Sequence, residues 1–415
     1  MSTSATTQGE VEIASIAAGG DGVGRVGGQV VFVPRSAPGD LARVAISAKG
    51  RFARGEIVEL VRPGPDRVEP PCPHYTRDRC GGCQLQHLGY EAQLAAKGRI
   101  IVDSVARIGR REIPLAEVRP SAQPWRYRRK LTLALRWTRG RGWIAGLHPY
   151  DDPGAVFALG DCPITDERVV AVWRSIMRHA KLFPRVPALR GAVRLLDHGA
   201  SFVLEGGRQW RGAEQLLEAV PELRAIWWAA EGSRPRLVAR RDAEATTGAS
   251  FVQVNVAMGQ ALHDHVVART LAHRPATVVD AYAGTGDTAV RFEEAGARVT
   301  AIELDREASA FAARRLTAPS TAIAGRVEDH LAAALPADVV VINPPRSGVD
   351  PRVCEILERA DPAPRALIYV SCDPGTLARD LARMPSYRAH DAVAFDMFPQ
   401  TAHVETVCEL VKEAA

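Results

Sequence analysis

From about Val254 onward the sequence repeats one pattern: a short apolar run, a turn, then a helical stretch. The runs lie at Thr277–Ala281, Arg298–Glu303, Thr321–Ala324, 338–342, Ala366–Ser371, 392–398 and 404–411. A run such as Ala366-Leu367-Ile368-Tyr369-Val370 is apolar at every position, as in a strand covered on both faces. Strands of that kind alternating with helices predict a parallel, doubly wound sheet. Such sheets hold their ligands beyond the carboxyl ends of the strands. The turns that follow each run are therefore where chemistry is to be sought.

Two of those turns carry reactive groups. Cys372 directly follows the run ending at Ser371, and Asp373-Pro374 reads as the cap and first residue of a helix. Cys372 is thus a candidate nucleophile at a strand end. It should sit where its pKa can fall, for example at a helix N-terminus. Farther along, His403-Val404-Glu405 offers a carboxylate as its partner. The second turn is Asp280-Ala281-Tyr282-Ala283-Gly284-Thr285-Gly286, a strand running into a glycine turn, where the backbone can approach a ligand closely. Glu303 closes the next strand, 23 residues after Asp280, at a spacing suited to gripping ribose hydroxyls. The full G-x-G-x-x-G is missing, so an adenosyl ligand without a pyrophosphate fits better than a dinucleotide.

The chain has 415 residues, too many for one core, so two or three domains are expected. Residues 11–61 alternate short β-branched runs with glycine turns, which predicts a small OB-like barrel. Arg62-Pro63-Gly64-Pro65-Asp66 reads as a linker, placing the barrel at residues 1–64. A helix is expected from 90 to about 109. A mixed, mostly β region with one helix near 166–181 completes a central domain at 65–250. The doubly wound domain takes 251–415. No apolar run approaches the roughly 20 residues that span a bilayer. No basic stretch with an apolar core opens the chain. A cytoplasmic monomer is the expectation.

Seven cysteines are present, an odd number that argues for metal or catalysis over a disulfide framework. Cys72, Cys80 and Cys83, with Gly81-Gly82 between the last two, form a metal-type loop, and Cys162 supplies a fourth thiolate. Zinc and a [4Fe–4S] cluster both accept four cysteines. His74 and His87 read as structural neighbours. Cys354 and Cys408 lie on apolar periodic segments and read as inert core thiols. The formal net charge is only +5, but its distribution is uneven. Residues 123–143 hold seven basic residues and no acid, interleaved with Trp125, Tyr127, Trp137 and Trp143. Cations for phosphates and flat rings for bases suit single-stranded nucleic acid. The competing reading is a solvated strand face over core aromatics.

Taken together these motifs resemble the RNA uracil-5-methyltransferases that use S-adenosylmethionine, the bacterial m5U enzymes of 23S ribosomal and transfer RNA. The resemblance covers nearly the whole chain. Residues 11–61 are similar to that family's TRAM domain. Cys72, Cys80, Cys83 and Cys162 match the ligands of its [4Fe–4S] cluster. Further matches are Phe251-Val252-Gln253-Val254-Asn255, Asp280 to Gly286, Ile302-Glu303, Asn343-Pro344-Pro345-Arg346-Ser347-Gly348, the segment from Ser371 to Asp380, and that from Asp396 to Glu405. The resemblance implies a TRAM barrel, a central iron–sulfur domain and a Rossmann-like methyltransferase domain. It implies Cys372 as the nucleophile that adds to uracil C6 and Glu405 as the base that removes the C5 proton. Gln253, Asp280, Tyr282, Gly284, Gly286, Glu303 and Asn343 are implied on the cofactor and base side, with RNA as partner. Barrel plus cluster favours 23S over transfer RNA. Two departures stand out. Seven residues separate Cys72 from Cys80 where many members have five, and Asn343 replaces a common Asp. An amide donates as well as accepts, so the hydrogen bonds offered to the base differ. Two other readings compete. Asn343-Pro344-Pro345 read as an amino-methyltransferase core lacks the aromatic that should follow and leaves Cys372 without a role. A non-catalytic RNA-binding protein leaves Cys372, Glu405 and the glycine turn unexplained.

Overall fold

The computed structural model describes residues 7–49, 52–241 and 253–412. At the N-terminus β1 (Thr7–Ile16), β2 (Gly22–Val26), β3 (Gln29–Val33), β4 (Leu41–Lys49) and β5 (Phe52–Arg62) close a barrel in the order β1-β2-β3-β5-β4. Alternation decides which side chains fill it. Val11 and Ile13 of β1, Val31 and Val33 of β3, and Val44 and Ile46 of β4 point inward and form one cluster.

The middle of the chain contains α1 (Pro73–Thr76), α2 (Tyr90–Ser104, running on into a π turn over Val105–Gly109) and β6 (Leu115–Arg119). These are followed by β7 (Lys130–Thr138), β8 (Gly142–Leu147), β9 (Phe157–Ala158), α3 (Glu167–Arg178), β10 (Ala188–Leu195), β11 (Ala200–Glu205), α4 (Ala213–Ala219), β12 (Leu223–Ala229) and β13 (Arg236–Arg240). Seven of these strands form a sheet in the order β13-β12-β11-β10-β7-β8-β9. Val169, Trp173 and Ile176 of α3 and Leu216 of α4 pack with Leu133, Leu135 and Phe202 of that sheet.

The remainder is α5 (Val256–Ala272), β14 (Thr277–Ala281), α6 (Asp287–Glu294), β15 (Arg298–Glu303), α7 (Arg306–Arg315), β16 (Thr321–Ala324), α8 (Val327–Ala334), β17 (Val339–Ile342), α9 (Pro351–Arg359), β18 (Ala366–Ser371), α10 (Pro374–Arg383), β19 (Tyr387–Phe395) and β20 (Glu405–Lys412). The sheet order is β16-β15-β14-β17-β18-β20-β19-β6. Every residue of β17 and β18 is buried, as their unbroken apolar runs require. The order reverses between β14 and β17, which opens a crevice at their carboxyl ends. β20 runs antiparallel to β18, so its first residue lies at that same edge.

One element crosses the boundary expected at residue 250. β6 adds to the C-terminal sheet as its eighth strand, parallel to β19. Ile101 and Val105, beside it in sequence, share a core with Val279 and Ile342. Pattern and length identify Leu115–Arg119 only as a short strand. Which sheet it joins is a tertiary choice. No helix among the described residues is long and apolar enough to cross a membrane.

Candidate active site

Cys372 stands on the turn between β18 and α10. Its neighbours fix that turn: the Ser371 hydroxyl donates to the Asp373 carbonyl (3.0 Å), and the Asp373 carboxylate caps α10 by accepting from Thr376 N–H (2.8 Å). β18 and β20 pair from Leu367 with Leu410 to Ser371 with Thr406. One further step along that ladder sets Cys372 level with Glu405. The two groups are thus adjacent across a strand pair, about 4.8 Å between backbones.

Their electrostatics are coupled. Burial pushes the Glu405 carboxyl up to about 7, and the Arg346 guanidinium pulls against that rise. The Cys372 thiol is pushed up to about 11 by burial and then by the charge of Glu405, again with Arg346 opposing. This corrects the expectation that the helix N-terminus would depress the thiol. The Asp373 carboxylate occupies that N-terminus, and the cation acting on the thiol is Arg346. Arg346 also acts on His403, whose pKa is lowered by burial and by Arg346, Lys97 and Arg128.

Arg346 owes its place to a buried carboxylate that sequence reading missed. Asp380 of α10, fully buried, accepts from Val349 N–H (3.0 Å) and from the Tyr369 hydroxyl (2.8 Å). Arg379 bridges Asp380 to the Ser347 carbonyl (2.7 Å). The loop after β17 is thereby pinned to the helix that follows the nucleophile. The only hint in sequence was Asp380 at the end of a motif.

The cofactor-type turn lies two strands away. Tyr282 (φ 63°), Gly284 (φ 56°) and Gly286 (φ 78°) all have left-handed backbones. A side chain at Gly286 would bring its Cβ within 2.8 Å of Ala312 Cβ, so glycine lets α6 start flush against α7. Glu303 accepts from Gly284 N–H (2.9 Å) and Asp305 N–H (2.7 Å), tying the ends of β14 and β15 together. Asp280 presents almost no exposed surface. It is buried under the turn, bonded by the Thr288 hydroxyl (2.7 Å), and burial raises its carboxyl to about 7. Asn343 is exposed at the end of β17, its N–H donating to the Ala281 carbonyl (3.2 Å). Gln253 packs against Gly259 of α5, where an added Cβ would meet its Cβ and Cγ at 2.8 Å. Phe251 and Val252 of the same motif lie outside the described residues.

Cys72, Cys80, Cys83 and Cys162 take part in no disulfide among the described residues and influence one another electrostatically. Cys72, Cys83 and Cys162 gather with Tyr75, Trp125, Tyr127 and Ile164 in one small core. Burial pushes the Cys80 thiol up to about 11 and raises Cys83 and Cys162 as well. Among the described residues, no three His, Cys, Asp or Glu side chains are close enough to share one metal ion. His87 bonds to the Tyr75 hydroxyl (2.7 Å) and the Ser36 carbonyl (3.0 Å), and burial lowers its pKa to about 4, so it is structural as expected. Cys354 and Cys408 are buried in the C-terminal core.

A profile of the tRNA (uracil-5-)-methyltransferase family matches residues 325–413, and one of the TRAM domain matches residues 7–58. An uncharacterized RNA methyltransferase of Protochlamydia amoebophila is 32% identical over 98% of this chain and 98% of its own. Another, from Thermosynechococcus vestitus, is 32% identical over 97% of each. The chain belongs to the S-adenosylmethionine-dependent RNA uracil-5-methyltransferase family. The fold of this methyltransferase is also that of the Pyrococcus abyssi tRNA (uracil-54, C5)-methyltransferase, solved in complex with S-adenosyl-L-homocysteine. The TM-score is 0.69 at 22% identity, covering 97% of this chain and 99% of that one.

In the methyltransferase, the basic aromatic stretch 123–143 divides in two. Its first half is structural. Arg126 grips Asp161 (2.9 and 2.7 Å) and the carbonyls of Cys162 (3.0 Å) and Thr165 (3.1 Å), and Trp125 and Tyr127 wall the cysteine core. Its second half is the β7–β8 hairpin. Trp143 packs inward on Phe183 (ring centroids 5.8 Å), while Trp137 remains 55% exposed, with Arg139 and Arg141 exposed at the tip. The first half therefore matches the core-aromatic part of the competing reading, and the second half leaves a basic aromatic tip open to solvent.

Proposed function

We propose that this methyltransferase moves a methyl group from S-adenosylmethionine to C5 of a uridine in 23S ribosomal RNA through a covalent Cys372–C6 adduct. One observation carries the reading. Glu303, the glycine turn, Asn343, Cys372 and Glu405 all stand at one edge of one sheet, in the strand order β15-β14-β17-β18-β20. From β15 to β18 that edge measures roughly 14 Å, at the usual strand spacing. This length suits an adenosyl donor with its ribose at Glu303 and its methyl arm near Cys372. When bound, the donor supplies a methyl cation equivalent.

The residues divide the work as follows. Cys372, as thiolate, adds to C6, and the displaced π electrons make C5 nucleophilic. Arg346 stabilises the thiolate against burial and against Glu405. C5 takes the methyl group. Glu405 then removes the C5 proton, and the C5–H electrons re-form the C5–C6 double bond as the C6–S bond breaks and Cys372 leaves. A carboxyl held near 7 suits a base working at neutral pH. Asn343 presents an amide to the base, which must be flipped or already unstacked. RNA carrying 5-fluorouridine tests the scheme, because fluorine cannot leave as a cation and the adduct is trapped. Wild-type protein should form a denaturation-stable adduct, lost in Cys372→Ser. Tight binding with no adduct sinks the covalent route.

The RNA class is decided by methyl incorporation into unmodified transcripts, with m5U expected in 23S RNA. The competing reading is transfer RNA, favoured by the full-length likeness in fold to an enzyme named for tRNA uracil-54. Incorporation into tRNA alone establishes that reading instead.

Cys72, Cys80, Cys83 and Cys162 would hold a [4Fe–4S] cluster as a structural element of the RNA-facing region. Three of these thiols share one small core, and the charge of the fourth, Cys80, is felt by Cys83. That supports one site for all four. Thr165 and Gln86 reach Cys162 and Cys83 with side-chain hydrogen bonds that favour the thiolates, and such donors suit the sulfur ligands of a cluster. Anaerobically purified protein should contain about four iron and four acid-labile sulfide per chain. Zinc without sulfide refutes the assignment.

A further inference from the structure

Glu405 is preceded by the loop of residues 396–404, which joins β19 to β20. Many of that loop's polar groups find their partners outside the C-terminal residues. Asp396 N–H donates to the Arg119 carbonyl (3.0 Å). The Asp396 carboxylate, fully buried, takes the Lys97 ammonium and the Tyr90 hydroxyl (2.7 Å). Lys97 also donates to the Phe398 carbonyl (3.1 Å), and the Tyr127 hydroxyl to that of Pro399 (3.0 Å).

Gln400 is the centre of this grip. Its backbone is left-handed (φ 71°), a conformation a glutamine keeps only where its surroundings over-determine it. Gln93 of α2 supplies two bonds: its Oε1 accepts from Gln400 N–H (3.0 Å) and its Nε2 donates to Gln400 Oε1 (3.0 Å). The Gln400 carbonyl accepts from Gln84 N–H (3.1 Å) and Leu85 N–H (3.0 Å), the residues directly after Cys83. Gln84 Oε1 accepts in turn from Ala402 N–H (3.4 Å). The barrel reaches the same point. At Gly20, in the turn between β1 and β2, an added Cβ would lie 2.5 Å from Gln84 Cβ and 3.2 Å from Ala402 Cβ. Barrel, cysteine loop and catalytic loop therefore meet at Gln84, Gln93, Gln400 and Ala402.

We infer that Gln93 and Gln84 are positioning residues for Glu405, acting through Gln400, so that the base is aimed only when the barrel and cysteine loop are docked. The inference rests on reading Glu405 as the base. Glu405 opens β20, so the path of the loop fixes both where its carboxyl points and how well water is kept from it. A loosened loop misplaces the carboxylate and hydrates it, while the RNA and donor surfaces stay as they were.

The test is steady-state kinetics on full-length Gln93→Met, which keeps side-chain length and removes both bonds to Gln400, along with the bond to the Leu88 carbonyl (2.9 Å). Gln84→Met is the milder second variant, should the first fold poorly. kcat is expected to fall about tenfold to a hundredfold, the scale of a misplacement near 1 Å. KM for RNA and donor should stay near wild type. The acid limb of the kcat–pH profile should move to lower pH, as hydration releases the raised Glu405. Unchanged kcat and acid limb in both variants overturn the inference, as does a rise in KM for RNA alone, which would make the junction a docking contact only. Glu405→Gln separates the two readings. If it is fully active, the base assignment falls and takes this inference with it. If it is inactive beside an unaltered Gln93→Met, only the inference falls.

Discussion

At the scale of single residues, the proposed chemistry depends on three side chains whose charges oppose one another. Cys372 must lose a proton where burial and Glu405 resist it. Glu405 must be ionised to act, although burial holds it near 7. Both groups are active in their deprotonated forms, so the rate should climb as pH rises through 7 and keep climbing toward the thiol's range. Among the described residues, Arg346 is the cation that favours the ionised form of both. Arg346→Met should therefore raise both pKa values and shift the acid limb upward. At pH 7 the rate should drop by about tenfold for each pKa unit gained. A pH–rate series on the variant checks this, and an acid limb that stays put would remove Arg346 from the mechanism. The linkage to stability has the opposite sign. Glu405 and Asp280, both held near 7, keep protons that the unfolded chain releases near 4. Their contribution to stability is complete below about pH 4 and is lost as pH rises through 7. Sequence reading found Cys372 and Glu405 because each stands in a distinctive local string. It placed Arg346 only as one residue of a motif, because nothing local says which turn an arginine faces.

At the scale of elements, the strands of the C-terminal sheet follow the apolar runs almost residue for residue: β14, β15, β16 and β18 have the bounds their sequences announce. These runs are mostly apolar between their ends, and β18 is buried at every residue, so they stand out without any partner being known. The hairpin β7–β8 shows the limit. Its alternation gives a strand pair, but only packing on Phe183 decides that Trp143 turns inward and Trp137 outward. We expect the exposed tip to touch RNA. Replacing Arg139 and Arg141 by alanine should weaken RNA binding and reduce the slope of log K against log salt by about 0.7–0.9 for each phosphate no longer neutralised. Fluorescence titration over a salt series measures both. An unchanged slope would make the tip a solvated turn.

At the scale of the whole molecule, domains that read as consecutive blocks are interlocked. α2 and β6 come from the middle of the chain, yet β6 forms an edge of the C-terminal sheet and Ile101, Val105 and Ile113 fill its core. Arg111, just after α2, donates to the carbonyls of Leu381 (3.4 Å) and Met384 (3.3 Å), closing the end of the helix that starts beside the nucleophile. A fragment beginning near residue 251 would expose the β19 edge and an apolar face. We expect it to aggregate or unfold without cooperativity, while the full chain melts as a unit in that region. Thermal unfolding and limited proteolysis of the two proteins side by side make the comparison, and a monomeric, cooperatively folded fragment would refute the interlock.

What the sequence alone determined is whatever is encoded over a few neighbouring residues. The doubly wound sheet, the barrel and the glycine turn are of this kind, and so are the local strings that single out Cys372 and Glu303 as candidates, because burial periodicity and turn chemistry are local. Only the tertiary structure decided that β20 runs backward and sets Glu405 level with Cys372, that the charge of Arg346 is felt by both, that Asp280 lies beneath its turn, and that β6 crosses to another sheet. Each of these depends on which elements become neighbours. That choice is made by packing between segments distant in sequence, where no single stretch carries the information.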